Sequence, residues 1–348
     1  MREPLDGEYV LPLRWTDDGG LDELTAYLRR LSSWIPVTIV DGSPAELFDA
    51  HARAWSGLVR HMPPLPWPGA NGKVAGVVTG VRAAHRERVV VADDDVRFDR
   101  AALERLLGLL DTADVVRPQN VFRPTPWHAR WDTGRTLLNR AVAADYPGTF
   151  GLRRTTFLAM GGYRGDVLFE NLEMLRTIRA HGGREHHAAD LFVERRPPTA
   201  AHFWSQRPRQ AYDDLAQPWR LVAALWVWPV VIEGLIRRRG RRLAVLALAV
   251  TAVGEIGRRH AGGRDVFPAT AALWSPVWAL ERGLFSWLAL AARVLRGGVA
   301  YGDVRLRTAA SSMRRLRAEA GRRPPLPPVR LVGDQGDRPG RATGGAST

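Results

Sequence analysis

The sequence predicts an α/β protein: a Rossmann-like sheet flanked by helices, with membrane-associated helices on its carboxyl-terminal side. Three observations carry this. A strand–helix–strand pattern opens the chain, an apolar run ends in the three carboxylates Asp93–Asp95, and the composition turns strongly apolar after Pro218. At 348 residues the chain is long enough for one domain of catalytic size plus an appendage. The expected division is a sheet domain over 1–215, a membrane-associated or transmembrane helical region over 216–300, and a basic, largely disordered tail over 301–348.

Tyr9–Leu13 reads as a first strand, Leu21–Leu31 as a helix with apolar residues at helical spacing, and Val37–Val40 as a second strand closed by Asp41-Gly42-Ser43. That order opens a parallel, right-handed βαβ unit. Asp41 at the strand end can accept hydrogen bonds from a nucleobase or ribose, and reads equally as part of an ordinary strand-to-loop turn. A helix from Val74 to about Ala84 begins beside Lys73, the one lysine of the chain. A cation at a helix amino terminus can meet a diphosphate, although an exposed surface lysine explains Lys73 as simply.

Val89–Ala92 is a buried-strand pattern that runs into Asp93-Asp94-Asp95 and then a helix, Arg100–Leu110. Like charges this close repel and are costly to desolvate, so a cation is expected among them. Asp93 and Asp95 can hold a hard divalent metal, with phosphates completing its shell, and ligands of open α/β sheets sit at the carboxyl ends of strands. Alone, the triplet reads equally as an acidic turn capping the next helix. Further on come a strand at Asp114–Pro118, a helix within Trp127–Tyr146, a strand and glycine turn at Gly148–Arg153, a helix at Arg154–Met160, and a helix from Glu170 to Ala180. Acidic residues in a first helical turn answer the helix dipole and are also placed to act as general bases. His202–Gln210 is aromatic and basic together, which suits a diphosphate or a sugar face as well as a surface loop.

Leu221–Ile236, Leu243–Ile256 and Val266–Leu295 are apolar; the first two fall short of about 20 uninterrupted residues for a span. Arginine clusters flank the second segment on both sides, so both ends prefer the cytoplasmic face, as in a re-entrant or interfacial hairpin; true spans and buried soluble helices are the alternatives. From Gly321 onward Pro, Arg and Gly predominate, and this end is expected to be disordered. The amino terminus lacks the pattern of a signal peptide, so the sheet domain is expected in the cytoplasm. No cysteine is present, which excludes disulfides and thiolate metal sites. The formal charge of +14 suits phosphorylated ligands or an anionic membrane face. A nucleic-acid partner is not expected, because the arginines are scattered and the aromatics concentrate in apolar segments.

Together these motifs resemble family 2 glycosyltransferases of GT-A fold, closest to the membrane-bound ceramide glucosyltransferase and hopanoid-associated branch. The likeness covers roughly Tyr9–Gln210, with weaker echoes to about Arg307. It rests on Val40-Asp41-Gly42-Ser43, Asn71-x-Lys73-Val74, Asp93-Asp94-Asp95-Val96-Arg97 as a DxD motif, Gly161-Gly162-Tyr163, Glu170-Asn171 with Gly182 twelve residues after Glu170, Gln206-x-x-Arg209, and Gly297–Tyr301. The resemblance implies a mixed sheet and inverting transfer of a sugar from a nucleotide-diphosphate sugar, a UDP-sugar favoured, to a lipid-like hydroxyl at the membrane. It implies donor contacts from Asp41, Lys73, Asp93, Asp94, Gln206 and Arg209, a Mg2+ or Mn2+ ion on Asp93 and Asp95, and an acceptor side formed by Gly162, Tyr163, Asn171 and Trp204. Where the family's base is usually the Asp of Glu-Asp, this chain has Asn171, and an amide cannot accept a proton. Glu170 or Glu173 is then the expected substitute; the alternative is an inactive membrane-anchored relative that binds a nucleotide-sugar or a partner. Gln210 replaces the Trp that follows Arg209 in the family's motif, which argues against processive transfer.

Overall fold

A computed structural model describes residues 3–142, 145–146, 148–302 and 304–329. Eight strands form one mixed sheet. They are β1 (Glu8–Leu13), β2 (Val37–Asp41), β3 (Arg60–Met62), β4 (Arg88–Ala92), β5 (Val96–Arg97), β6 (Val115–Phe122), β7 (Thr149–Arg153) and β8 (Glu185–Arg195), in the order β3-β2-β1-β4-β7-β6-β8-β5. β1, β2, β3 and β4 are mutually parallel, which is the βαβ opening the sequence predicts. β7 then runs antiparallel to β4 and β6, so the sheet is mixed. Every residue of β2 is buried, as expected of a strand covered by helices on both faces.

The flanking helices are α1 (Leu21–Ser32), α2 (Ala45–Ala54), α3 (Gly72–Ala83), α4 (Arg100–Leu109), α5 (Trp127–Val142), α6 (Arg154–Ala159), α7 (Glu170–Ala180) and α8 (Ala200–Tyr212). α1 has Asp22 and Glu23 in its first turn and Arg29 and Arg30 in its last, matching the helix dipole at both ends. It buries Leu24, Tyr27, Leu28 and Leu31 against β1 and β2. α3 and α4 start on side-chain caps, Asn71 and Asp99. β8 and α2 were not foreseen: β8 carries three consecutive polar residues at its start, and α2 has only His51 fully buried, so neither shows a clean apolar period. His202–Gln210 is helical rather than a loop, because the Thr199 hydroxyl caps α8 and Pro208 is tolerated within it.

Beyond α8 the chain forms α9 (Pro218–Ile236), α10 (Gly240–Arg259) and α11 (Trp274–Leu295), then β9 (Val299–Tyr301), β10 (Val304–Leu306) and α12 (Met313–Glu319). Among the described residues, α9 alone is long and apolar enough to cross a membrane, and only Ala224 and Gly234 of it are fully buried. The other two helices dock on the sheet domain. α10 crosses α5 at Gly257, where a Cβ would fall 1.8 Å from the Leu137 carbonyl oxygen, so only glycine permits this approach. α11 packs on α5 and α8 and buries the Glu281 and Arg282 side chains. The division at residue 216 is therefore a change of composition and not a seam between separate bodies.

The tail also differs from expectation. β10 pairs with β9, Val167 bridges Thr308, and α12 packs on α7. The Leu326 amide donates to the Leu158 carbonyl, and its side chain joins the core of the sheet domain. Residues 304–329 are thus built into the fold, held by backbone hydrogen bonds and a few apolar anchors that a Pro- and Arg-rich composition hides; 330–348 lie outside the described residues.

Gly257→Val is expected to destabilise the protein by about 1–3 kcal/mol through overpacking at this crossing. Urea denaturation of the purified protein measures it. An unchanged midpoint would mean that α10 does not dock on α5.

Candidate functional site

The carboxyl end of β4 opens into a cleft of about 300 Å3 whose walls come from the sheet, α5, α7, α8 and α11. Asp93 and Asp95 lie on its floor. The antiparallel partner β7 brings Gly148 beside them, and the Asp93 amide donates to the Gly148 carbonyl (3.1 Å). A Cβ on Gly148 would stand 1.8 Å from Asp93 Oδ2, so glycine leaves the space the carboxylate occupies. Arg97 fixes the turn from below by donating to the carbonyls of Asp94 and Val96, while its far end pairs with Glu23.

The cation that packed carboxylates require is Lys73. Its Nζ lies 2.6 Å from Asp93 Oδ1 and 3.2 Å from Glu170 Oε1, bridging the ends of β4 and α7. Burial disfavours the ammonium form, but Asp93 and Glu170 together outweigh it and hold the pKa above its ordinary value. Asn71 completes the bridge: its Oδ1 caps α3, and its Nδ2 donates to Val167 O (3.2 Å) and Glu170 Oε2 (3.4 Å). Tyr301 donates its hydroxyl to Asn71 Oδ1 (3.0 Å), and its ring lies under the Arg209 guanidinium at 4.8 Å. On the other side, Arg195 from β8 donates to Asp95 Oδ2 (2.7 Å). Asp95 Oδ1 is buried without a hydrogen-bond partner. Burial raises the Asp95 carboxyl to about 6, with Arg195 opposing and the Asp93 and Asp94 charges adding to the rise.

An oxygen-only pair of carboxylates, one with a buried and unpartnered oxygen, is the donor chemistry that Mg2+ or Mn2+ takes. Asp93 and Asp95 therefore fit such an ion. Lys73, Glu170, Asn171, Gln206 and Arg209 share the same cleft with them.

Six other expected residues lie elsewhere. Asp41 is only 1 % exposed. Its Oδ1 accepts from the Ser43 amide (2.9 Å), and its Oδ2 faces His51 Nδ1 (2.6 Å) and His61 Nε2 (3.0 Å). A base contact would need both imidazoles displaced, so the structure makes Asp41 a buried anchor of α2 and β3 instead. His51 reaches Asp18 with its other nitrogen (2.9 Å) and stacks on Trp55. Asp94 accepts from Trp15 Nε1 and does not line the cleft. Glu173, one turn further along α7, is fully buried outside the cleft and accepts from the Ser311 amide (2.5 Å), so it is not a substitute base. Gly162 and Tyr163 also face away: Trp67 packs on Gly162 and donates to the Tyr163 carbonyl, and Tyr163 sits in the core. Trp204 packs against Trp127, Trp131 and Phe203 and, unlike Phe203, does not line the cleft.

The cleft holds residues that motif reading did not select: Arg195, Asp213, Arg135 and Arg282. Arg195 follows its strand by simple alternation and carries no local signal. Asp213 had one, being four residues after Arg209 and seven after Gln206, the spacing of one helical face.

No family model and no curated protein matches this chain. Solved structures do match. The mannosyltransferase PcManGT from Pyrobaculum calidifontis, in complex with GDP-Man and Mn2+, superposes with a TM-score of 0.50 at 16% identity, covering 84% of this chain and 88% of that one. Glucosyl-3-phosphoglycerate synthase from Mycobacterium tuberculosis, in complex with Mn2+, UDP and phosphoglyceric acid, gives 0.40 at 16% identity over 60% of this chain and 76% of its own. Mannosyl-3-phosphoglycerate synthase from Rubrobacter xylanophilus gives 0.37 at 16% identity, with 59% and 74% covered. The superposition on the mannosyltransferase shows the curled mixed sheet with helices on both faces to be a GT-A-like fold.

The Asp41 cluster generates a prediction about acid stability. Burial opposes ionisation, but hydrogen bonds from His61, Ser43 and His51 outweigh it and hold the carboxyl well below the usual range. A depressed folded pKa contributes stability that is fully present above the unfolded value, about 3.9, and is lost as the pH falls below it. Asp41→Asn should therefore cost about 3–5 kcal/mol at pH 7. The gap between variant and parent should narrow when denaturation is repeated toward pH 3. A gap that stays constant with pH would remove the charged role.

Proposed function

We propose that the protein is an inverting glycosyltransferase of family 2 type that moves a sugar from a nucleotide-diphosphate sugar to a lipid-like hydroxyl at the cytoplasmic membrane face. The observation that supports it most is the convergence of Asp93, Asp95, Lys73, Gln206 and Arg209 on one cleft at the end of β4 in a GT-A-like fold. The mannosyltransferase of similar fold was solved with GDP-Man and Mn2+, which supports a nucleotide-sugar donor and a divalent metal here as well.

In this reading Asp93 and Asp95 hold Mg2+ or Mn2+, and the chemistry such an ion supplies is stabilisation of negative charge on the departing diphosphate. Arg209 and Gln206 reach the diphosphate from α8, the guanidinium by charge-assisted hydrogen bonds. Lys73 remains charged between Asp93 and Glu170 and adds a fixed positive charge near the leaving group. Attack from the face opposite the diphosphate inverts the anomeric centre. Arg195 and Arg97 keep the carboxylate turn in place, so the charges need no reorganisation as reaction proceeds.

The membrane part of the proposal rests on surface chemistry. α9 and α10 expose Trp219, Trp226, Ile232, Leu235, Ile236, Val245 and Leu248, and the turn between them carries Arg237–Arg239 followed by Arg241 and Arg242. An apolar hairpin tipped with arginines suits the interface of an anionic leaflet, and it would bring a lipid acceptor to the cleft from the side of α11. A second reading, an inactive relative that binds the nucleotide-sugar or a partner, is favoured by Asn171 and by it alone.

Purified protein incubated with UDP- and GDP-sugars, Mn2+ and a membrane lipid extract should release nucleotide and form a new glycolipid. Asp95→Ala should lower turnover by about a hundredfold or more. Donor binding by calorimetry without turnover on any acceptor would favour the inactive relative, and absence of both binding and turnover would sink the proposal.

A further inference from the structure

We infer that Asp213 accepts the proton of the acceptor hydroxyl, the task Asn171 cannot perform. The inference rests on the glycosyl-transfer reading above. It begins from the carboxylates that line the cleft, since a general base must reach the reacting hydroxyl. Nearly all of them are engaged. Asp93 is bound to Lys73, and Glu170 to Lys73 and Asn71. Asp132 receives both Arg207 nitrogens at 2.7 and 2.9 Å, and Asp214 lies between Arg220 (3.6 Å) and Arg282 (3.7 Å). Asp145 accepts from Asn139. Asp95 and Asp213 each keep a buried oxygen without a partner, and Asp95 belongs to the donor floor with Asp93. Asp213 is left.

Its place follows from α8. Gln206, Arg209 and Gln210 line the cleft from one face of that helix, and Asp213 continues the face, because its backbone is still helical (φ −60°, ψ −28°). The residues expected to hold the diphosphate and the residue that takes the proton thus sit on one rigid element. The groups facing Asp213 are Glu170 from α7, Arg282 from α11, Arg209 on α8 and Asp214 in its own turn. Burial is the largest influence and raises its pKa well above the ordinary carboxylate range, Glu170 adding to the rise while Arg282 and Arg209 oppose it. A raised pKa makes the ionised carboxylate a stronger base, at the cost of a smaller ionised fraction at low pH.

The step balances simply. The acceptor oxygen forms a bond to the anomeric carbon while the bond from that carbon to the diphosphate oxygen breaks, and the electron pair leaves with the diphosphate. The hydroxyl proton passes to the Asp213 carboxylate and from there to water.

The test uses full-length protein and a donor that the unaltered chain consumes, with transfer or donor hydrolysis as readout. Asp213→Asn should lower kcat by about 100-fold or more, leave donor binding by calorimetry unchanged, and abolish the acid limb of the pH–kcat/KM profile. Adding Asn171→Asp to Asp213→Asn should restore part of the turnover, which a mere loss of fold would not allow. Near-parental turnover in Asp213→Asn, with loss in Glu170→Gln, would assign the proton to Glu170 and overturn the inference while leaving glycosyl transfer standing. No consumption of any donor by the unaltered protein would remove glycosyl transfer itself, and this inference with it.

Discussion

Carboxylates packed at the end of a buried strand need fixed cations, and much of this structure answers that need. Lys73 ties Asp93 to Glu170, Arg195 ties Asp95 to β8, and Arg97 grips the carbonyls of the turn between them. Each pair links a different element to β4. The charges therefore set the distance between α7 and the sheet, and with it the width of the cleft. In an environment of low effective dielectric, such pairs are costly to leave half-made, since removing one partner strands the other. The single lysine of the chain stands where Asp93 and Glu170, carboxylates from separate elements, meet. Its ammonium is compact and can sit between two acceptors, whereas a guanidinium would impose a planar fork.

Much of the fold was legible because its signals are local. The strand runs of β1, β2 and β4, the apolar face of α1 and the glycine turn before β7 each follow from a few neighbouring residues. The mixed character of the sheet was legible only through resemblance, since antiparallel pairing of β4 with β7 is a contact across about sixty residues. In the site, Asp93, Asp95 and Lys73 each join a strand or helix terminus to a charge and line the cleft, but Asp41 and Asp94 meet the same description and lie outside it. Asp41 failed because the histidines that enclose it lie on α2 and β3, and nothing near Asp41 in sequence announces them. Glu173 failed because of what packs beside α7. It lies one turn beyond Glu170, where the segment around Ser311 covers it and the Ser311 amide meets its carboxylate.

The apolar segments after Pro218 illustrate how composition understates packing. Their hydrophobicity reads as affinity for lipid, yet α10 and α11 spend one face on α5 and α8, with Gly257 permitting the first crossing and buried Glu281 and Arg282 lying at the second. α9 buries only Ala224 and Gly234 fully, yet it packs along α11, where the Trp228 indole donates to the Leu280 carbonyl and the Trp287 indole to the Leu225 carbonyl. The hairpin of α9 and α10 is therefore held on α11 and α5, and its outer face is an apolar surface of fixed orientation relative to the cleft. Such a fixed orientation is what the proposed interfacial role requires, because a free span would leave the cleft's height above a bilayer undetermined.

The same reasoning reaches the end of the described chain. Tyr301 bonds to Asn71 and underlies Arg209, the Ser311 amide donates to one oxygen of the buried Glu173, Thr308 and Ala309 receive the amides of Leu168 and Phe169, and Leu326 closes over the turn at Gly162. Most of these contacts bear on α7 or on the segment that leads into it, and Tyr301 reaches the same place through Asn71, which bonds Glu170, the first residue of α7. The position of Glu170, and through Lys73 that of Asp93, is therefore determined from both ends of the chain. Residues 1–215 supply the sheet and most of the charged groups, but the geometry of the cleft also depends on residues beyond 300, and α11 adds Arg282 to its wall. A boundary drawn on composition would separate the carboxylates from the contacts that hold them at their working distance.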